Sequence, residues 1–155
     1  MKSIILIGCL ILAIFIGCSD VQTSKSVGLT IEQTLIGTYG ESGTINPVEK
    51  AEFQKGDAFS FVLMNVSGFK KGANGLNKFD MDVSVFDPDG NKVYEKKELL
   101  NGGYEADLPN NVSASSSVDF TIGPDYPAGK YKMTVDIYDK IGTGRASASR
   151  NFVVL

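Results

Sequence analysis

The chain has 155 residues, with 18 acidic and 15 basic side chains, a formal net charge of −3 and neither histidine nor tryptophan. Without histidine the chain cannot form a Ser-His-Asp triad, and it lacks the commonest general base near neutral pH and a preferred ligand of zinc and copper. The mildly acidic balance disfavours nucleic acid, which requires a basic footprint. Composition therefore predicts a protein without a cofactor and without a nucleic-acid partner.

The N-terminal segment has the organisation of a secretory signal. Lys2 supplies a positive charge, an apolar run extends from Ile4 to Ile16, and Gly17 is a small residue before a cleavage point. The run is shorter than the ~20 residues of a stable membrane-spanning helix. We therefore predict a signal peptide at residues 1–17. A retained N-terminal anchor is the alternative, and either interpretation places the remaining chain outside the cytoplasm.

The end of this segment, Phe15-Ile16-Gly17-Cys18, resembles the lipobox of prokaryotic lipoproteins. That family's pattern is Leu, a small or aliphatic residue, Gly or Ala, and then Cys. Gly17 and Cys18 match it, Ile16 is compatible and Phe15 departs from the usual Leu. A second match ends at Cys9, but the apolar run before it is too short for a signal peptide. The resemblance implies lipidation of Cys18, attachment to a membrane through that lipid, and a location in the cell envelope.

Loss of the signal would leave a mature chain, residues 18–155, that is free of thiols. Cys9 would leave with the signal and Cys18 would be acylated, and these are the only two cysteines. The mature chain would then have no disulfide, so its stability must come from a hydrophobic core, for which one domain of this length is sufficient. Residues 18–26 are polar and predict a tether, which leaves residues 27–155 for the domain.

Beyond the tether, short runs of β-branched and aromatic residues alternate with turns rich in Gly, Asn, Asp and Pro. The predicted strands are Val27–Ile36, Ile45–Phe53, Ala58–Val66, Phe79–Phe86, Lys92–Lys97, Val112–Ile122, Lys130–Asp139 and Arg145–Val154. Pro47 makes the second run either an edge strand or an irregular entry to a strand. The third is apolar on both faces, which predicts a central strand, and its alternation places Val66 on the face opposite Phe61. In the fourth, Asp80 and Asp82 alternate with apolar residues and are predicted to face solvent.

Seven or eight strands joined by turns, without crossover helices, predict an all-β fold, a single antiparallel β-sandwich. Residues 125–133 resemble the corner before the penultimate strand of immunoglobulin-like domains, where an Asp, a small residue, a Tyr and a Cys recur. Gly129 is the small residue, Tyr131 the corner tyrosine, and Met133 stands in place of the Cys. The spacing from Asp125 is longer than usual. The resemblance implies a disulfide-free Ig-like module, and the alternative is that Tyr131 is a core residue of another sandwich.

Calcium is the only cation that the sequence brings into consideration. Asp87, Asp89, Asn91 and Glu98 supply oxygen ligands at positions 1, 3, 5 and 12 of an EF-hand loop. The glycine required at position 6 is absent, because Lys92 stands there, and no helices flank the segment. A hairpin turn explains the same residues, so we predict a turn and retain calcium as the alternative.

Other polar residues offer weaker grounds for a site. Asp80, Asp82 and Asp136 are carboxylates that could perform acid–base chemistry if two of them lined a cleft, but alternating acids on a sheet are typical of a solvated face. Asn111-Val112-Ser113 matches the N-glycosylation acceptor pattern in a predicted loop. We predict no catalytic residue, and Asn111 is the glycosylation candidate.

Loops held by a rigid scaffold are the usual binding surfaces of a sandwich. Three connections are long or rich in glycine: Ser67–Lys78, Leu99–Asn111 and Asp139–Gly144. Within the second, Leu99, Leu100 and Tyr104 form either an exposed patch or a cover over the open end of the core. The sequence thus predicts a non-catalytic, lipid-anchored envelope protein that binds a protein or glycan. The alternatives are a structural spacer, or an accessory subunit or hydrolase that uses carboxylates.

Overall fold

The computed structural model describes residues 22–23, 26–108 and 114–155. No helix in these ranges is long and apolar enough to span a bilayer. The strands, in chain order, are β1 (Gln22–Thr23), β2 (Thr30–Tyr39), β3 (Ile45–Pro47), β4 (Glu52–Phe53), β5 (Ala58–Ser67), β6 (Asn77–Phe86), β7 (Lys92–Lys96), β8 (Tyr104–Ala106), β9 (Ala114–Thr121), β10 (Gly129–Asp139) and β11 (Arg145–Val154).

The strands form two sheets that share one hydrophobic core. One sheet has the order β1-β11-β10-β6-β7, with β4 also paired to β11 and β8 to β6, and the other has the order β3-β2-β5-β9. Among the described strands only β4 pairs in parallel. The order β11-β10-β6-β7 opposite β2-β5-β9 corresponds to strands G-F-C-C′ opposite A-B-E of an immunoglobulin-like sandwich. The predicted antiparallel Ig-like β-sandwich is confirmed.

Seven of the eight predicted strands are present, with ends that shift by at most three residues. The remaining prediction, Ile45–Phe53, divides into β3 and β4, and Pro47 ends β3 at the edge of its sheet. β8 lies inside a predicted loop, because a three-residue strand gives no readable alternation. β1 lies inside the predicted tether and pairs with β11.

Alternation along the long strands produces the core. In β10, the residues Met133, Val135 and Ile137 are 0% exposed. Aromatic rings fill one end, where Phe59 stacks on Phe53 with centroids 4.7 Å apart and Phe152 stacks on Tyr131 at 5.3 Å. Because these side chains come from both sheets, their burial holds the two sheets together.

A bulge in β5 reverses the predicted orientation of one residue. The pairing of β5 with β9 changes register between Leu63 and Val66, and Asn65 has a φ of 56°. The extra residue returns Val66 to the core, where it is 1% exposed, so its predicted placement opposite Phe61 is wrong. Asparagine is one of the few residues that tolerates positive φ, which is why the bulge forms there.

Arg150 points into the sandwich from β11, a strand whose outer edge pairs with the two short strands β1 and β4. It has the same phase as Ala148 and Phe152, which are each 1% exposed. Its Nη2 donates to the Thr34 carbonyl of the opposite sheet at 2.9 Å. An inward charge of this kind discourages pairing of an edge strand with another chain.

Candidate binding surface at the loop end of the sandwich

The three connections predicted as binding loops meet at one end of the sandwich. We call it the loop end, and it comprises residues 67–78, 97–108 and 139–144. Lys70 N donates to Asp139 Oδ2 at 2.8 Å, which joins the first connection to the third. Lys140 N donates to Lys78 O at 2.8 Å, and Lys140 Nζ lies 3.2 Å from Glu98 Oε1 in the second connection. The fold therefore joins into one surface three segments that are far apart in sequence.

Asp80 organises the middle connection. Its side chain is 0% exposed. Its Oδ1 accepts hydrogen bonds from Met81 N at 2.8 Å and Leu100 N at 2.9 Å, and its Oδ2 accepts one from Gly102 N at 3.1 Å. The prediction that Asp80 faces solvent is wrong, because a segment 20 residues further along the chain covers it. Since both oxygens bind backbone N–H groups, Asp80 serves the structure of the loop end.

Asn77 and Asp139 are two further buried polar groups at the loop end. Asn77 is 2% exposed; its Nδ2 donates to Lys70 O at 3.0 Å and its Oδ1 accepts from Leu108 N at 3.0 Å. Asp139 is 6% exposed and accepts from Lys70 N at 2.8 Å and from Ile141 N at 2.9 Å. The side chains of Asn77 and Asp139 thus form hydrogen bonds with backbone N–H and C=O groups of the connections, where strand pairing does not supply a partner.

Asn77 and Asp139 are absent from the sequence-based predictions, although the pattern contains a signal for both. Asn77 continues the core phase of Phe79 in β6, and Asp139 continues the core phase of Ile137 in β10. A polar residue at the end of a strand, in phase with its buried residues, indicates a buried hydrogen-bonding group.

Glycines allow the connections to pack closely. A Cβ on Gly142 would lie 2.7 Å from both Lys70 Cγ and Asp139 Oδ2, so only glycine fits between the first and third connections. Gly68 has a φ of +98°, and a Cβ there would lie 2.2 Å from the carbonyl oxygen of Gly28. The loop end is therefore a closely packed surface that is held in place by neighbouring backbone.

The loop end exposes two large apolar side chains. Tyr104 is 56% exposed and Ile141 is 43% exposed. The Tyr104 ring contacts the ring of Phe79 edge-on at 5.7 Å, which restricts its orientation. Leu99 and Leu100 instead pack against the core. Each of the two predicted interpretations therefore applies to a part of this segment. Leu99 and Leu100 cover the core, and Tyr104 is exposed.

Ion pairs also lie at the loop end. Lys71 pairs with Asp107, and Lys78 Nζ lies 3.0 Å from Glu105 Oε1. These pairs are partly exposed, so they contribute little to stability. Exposed apolar side chains and charged pairs both occur in protein–protein interfaces.

Beside the loop end, the outer face of the β11-β10-β6 sheet carries a shallow cavity of about 420 Å³ that includes Asp82, Asp136, Tyr138 and Arg145. The Tyr138 hydroxyl donates to Asp82 Oδ1 at 3.1 Å. Burial, followed by this hydrogen bond, raises the pKa of Tyr138 to about 12. Two cationic side chains also lie over the Tyr138 ring, with Lys140 at 5.6 Å and Arg145 at 5.4 Å from its centroid.

The three predicted carboxylates have different surroundings. Asp82 and Asp136 face each other across β6 and β10, and both line the outer cavity. Asp82 also accepts a hydrogen bond from Glu98 N at 2.9 Å, and Asp136 is exposed. Asp80 is buried under the 98–102 segment. The structure thus brings Asp82 and Asp136 together on the outer face and binds Asp80 to the backbone N–H groups of the loop end.

Three of the four calcium candidates, Asp87, Asp89 and Asn91, lie in the hairpin turn between β6 and β7, whereas Glu98 lies at the loop end beside Lys140. Asp87 Oδ1 accepts from Asp89 N at 3.0 Å and from Asn91 N at 2.7 Å, and Asp87 Oδ2 accepts from Asn91 Nδ2 at 3.1 Å. The Asn91 side chain, and then the backbone N–H groups, lower the pKa of Asp87. Within the described ranges no group of three or more acidic or thiol side chains is placed to hold a metal. The oxygens of Asp87 therefore stabilise the turn.

These features define the class of the protein, an immunoglobulin-like β-sandwich with a rigid loop end. A Niemann-Pick type C2 protein from Japanese carpenter ant superposes with a TM-score of 0.56 over 86% of this chain and 98% of that chain, at 12% identity. The C-terminal domain of wzt superposes with a TM-score of 0.56 over 88% of this chain and 79% of that chain, at 12% identity. At such identity the likeness shows a shared fold alone. No protein-family model and no curated protein sequence matches the chain.

Two predicted positions lie outside the described residues. These are Cys18, the lipidation candidate, and Asn111, the glycosylation candidate. Both stay predictions from the sequence.

Proposed function

We propose that this protein is a non-catalytic, lipid-anchored component of the cell envelope whose Ig-like domain binds a partner protein through the loop end. The observation that carries the proposal is the joining of three connections into one rigid surface by the buried groups Asp80, Asn77 and Asp139. A surface ordered in the free protein loses little conformational entropy on binding.

The composition of the loop end supports a protein as the partner. Tyr104 and Ile141 are the exposed apolar side chains, and tyrosine is enriched in the centres of interfaces. Lys70 and the ion pairs of Lys71 and Lys78 supply a polar rim of mixed charge. A glycan site would instead be expected to expose several aromatic faces beside hydroxyl acceptors.

The direction of β1 supports an anchor on the far side of the domain. Val27 N donates to Arg145 O next to the loop end, while Gln22 pairs with Ser149 further along β11. The chain followed backwards from Val27 to Gln22 therefore leads away from the loop end. A lipid on Cys18 would then leave the loop end directed away from the membrane, where a partner can reach it.

Site-specific photocrosslinking in native membranes tests the binding surface. A photoreactive residue placed at Tyr104 or Ile141 is expected to give one discrete crosslinked species. Tyr39 is the matched control, because it is the same residue type, is 54% exposed and lies on the other sheet. Crosslinks from Tyr39 but not from Tyr104 or Ile141, or none from any position, would overturn the proposal in favour of a spacer or another surface.

The anchor is tested separately. Cys18→Ser is expected to abolish metabolic labelling with a fatty acid and to release the protein from the membrane fraction, whereas Cys9→Ser is expected to leave both unchanged. Lipid labelling that persists in Cys18→Ser would exclude acylation at this residue. That result would leave the crosslinking test of the loop end intact.

A further inference from the structure

A second cavity lies at the opposite end of the sandwich. It has a volume of about 430 Å³ and lies between the β6–β7 turn and the β9–β10 connection. Its lining includes Pro88, Asp89, Val93, Asp125, Tyr126 and Pro127. This volume falls within the range of small-ligand sites and suits one long side chain with its adjacent backbone.

The walls of this cavity are fixed by contacts within the fold. The Tyr131 hydroxyl donates to Pro127 O at 2.8 Å, which holds the β9–β10 connection. A Cβ on Gly129 would lie 2.6 Å from Pro88 Cγ, so glycine lets the two walls touch. Asp87 holds the other wall through its bonds to Asn91. The cavity is therefore pre-formed.

An aromatic surface forms part of the cavity. The Tyr126 ring lies 5.4 Å from the ring of Tyr131 and 5.9 Å from that of Phe120, which supports it from the core. Tyr126 is only partly buried and lines the cavity, so a ligand in the cavity can contact it. Aromatic faces attract cations through their quadrupole.

The charged residues that line the cavity are all acidic. Asp87, Asp89 and Asp125 contribute three carboxylates, and none of the lining residues is basic. Asp89 and Asp125 are exposed, so a ligand that enters the cavity can reach both carboxylates from solvent. A partly apolar, aromatic cavity with a negative rim complements a cation on an apolar stem.

We propose that this cavity binds an arginine or lysine side chain presented by a basic peptide segment of a second partner. The aliphatic stem packs against Pro88, Pro127 and Val93, the charged group lies over Tyr126, and Asp89 and Asp125 accept its hydrogen bonds. This site is separate from the loop end and does not depend on it. It also differs in chemistry, because the loop end carries charges of both signs.

A peptide titration tests this site. Amide NMR signals of the full-length, isotope-labelled chain in zwitterionic micelles are followed as Gly-Gly-Arg-Gly-Gly, acetylated and amidated, is added. We expect saturable shifts confined to residues 87–93 and 125–131. The citrulline analogue, neutral and of the same shape, is expected to bind at least tenfold more weakly, because only the charge differs.

Two double variants test whether binding depends on the carboxylates of this cavity or on the negative charge of the protein as a whole. Asp89→Asn combined with Asp125→Asn is expected to weaken binding of the arginine peptide at least tenfold. Glu105→Gln combined with Asp107→Asn, at the loop end, is the matched control and is expected to leave it unchanged. Absence of saturable shifts, equal binding of the citrulline peptide, or an undiminished affinity of the double variant would each overturn the proposal. Shifts of the same signals by maltose alone would indicate a neutral glycan site instead.

Discussion

The Tyr131 hydroxyl donates a 2.8 Å hydrogen bond to the carbonyl oxygen of Pro127, four residues earlier in the chain. Tyr131 is 1% exposed and lies near the start of β10, two residues before the fully buried Met133. This is the tyrosine corner of immunoglobulin-like domains, in which the Tyr precedes the second cysteine by two residues. The resemblance noted in the sequence is confirmed, with methionine in the position of that cysteine.

Removal of the corner hydroxyl should destabilise the fold without emptying the core. In Tyr131→Phe the ring still packs on Phe152, but the Pro127 carbonyl loses its partner, so we expect the free energy of unfolding to fall by about 1 kcal/mol. Urea denaturation measures this change. Tyr104→Phe, at a side chain that is 56% exposed, is the control and should change stability by less than about 0.5 kcal/mol. Equal effects of the two variants would contradict the assignment of a corner bond.

Asp80 should be essential to the loop end. In Asp80→Asn one acceptor oxygen becomes an NH₂ donor that faces a backbone N–H group, so we expect the free energy of unfolding to fall by roughly 2–4 kcal/mol. Crosslinking from position 104 should weaken as well, because the 98–102 segment loses its anchor.

Asp136→Asn is the matched control for Asp80. Asp136 is exposed and faces Asp82 across the strands, so loss of its charge relieves a like-charge contact. Its stability should stay within about 0.5 kcal/mol of the parent or rise slightly. A similar loss in both variants would refute the distinct role given to Asp80.

Thr34 carries an unsatisfied hydroxyl, and its replacement by a methyl group should stabilise the fold. Thr34 is 2% exposed, and its Oγ1 has no hydrogen-bond partner among the described residues. Valine has nearly the same shape, so Thr34→Val should raise the free energy of unfolding by about 1 kcal/mol. Thr134→Val is the control, since Thr134 Oγ1 lies 2.9 Å from Ser149 Oγ and the change removes a hydrogen bond. Thr134→Val should therefore lower the free energy of unfolding. Urea or thermal unfolding tests whether the two variants change stability in opposite directions.

Tyr138 should make stability fall in alkaline solution. Its pKa is raised from the ordinary tyrosine value of 10.0 to about 12 by burial and by the hydrogen bond to Asp82. Because the folded pKa exceeds the unfolded one, this stabilisation is complete below about pH 10 and is lost as the pH rises to about 12.

Tyr138→Phe isolates this pH dependence. Urea denaturation from about pH 9 to about pH 12 should show a shallower decline for the variant than for the parent. Burial also raises the pKa of Tyr126 and Tyr131, so part of the decline should persist. Parallel curves for the two proteins would show that Tyr138 ionises normally.

The strands and the sandwich follow from patterns that are local in sequence. Alternation has a period of two residues, so Tyr131, Met133 and Val135 are assigned to one face without knowledge of any partner strand. Turn residues such as Pro88 and Gly90 end strands for equally local reasons. Local patterns also located the three connections of the loop end and the hairpin at Asp87. They produced the signal prediction at Cys18 too, which rests on sequence alone.

The wrong predictions and the omissions arise where distant parts of the chain meet. Asp80 is buried by residues 20–22 positions later, and the position of Val66 depends on a bulge paired with β9. The alternation within one strand does not show whether a distant segment buries one of its residues or whether a bulge shifts its register. The same limit applies to the two cavities, because each is bounded by segments from different strands.

Local alternation and turn chemistry are thus sufficient to assign the long strands and the fold class in this chain, because each depends on residues within a few positions of one another. Tertiary structure alone brings Lys70, Lys140 and Glu98 together at one end and Asp89 beside Asp125 at the other. These contacts depend on which strands pair and in which register, and the packing of the whole core determines both.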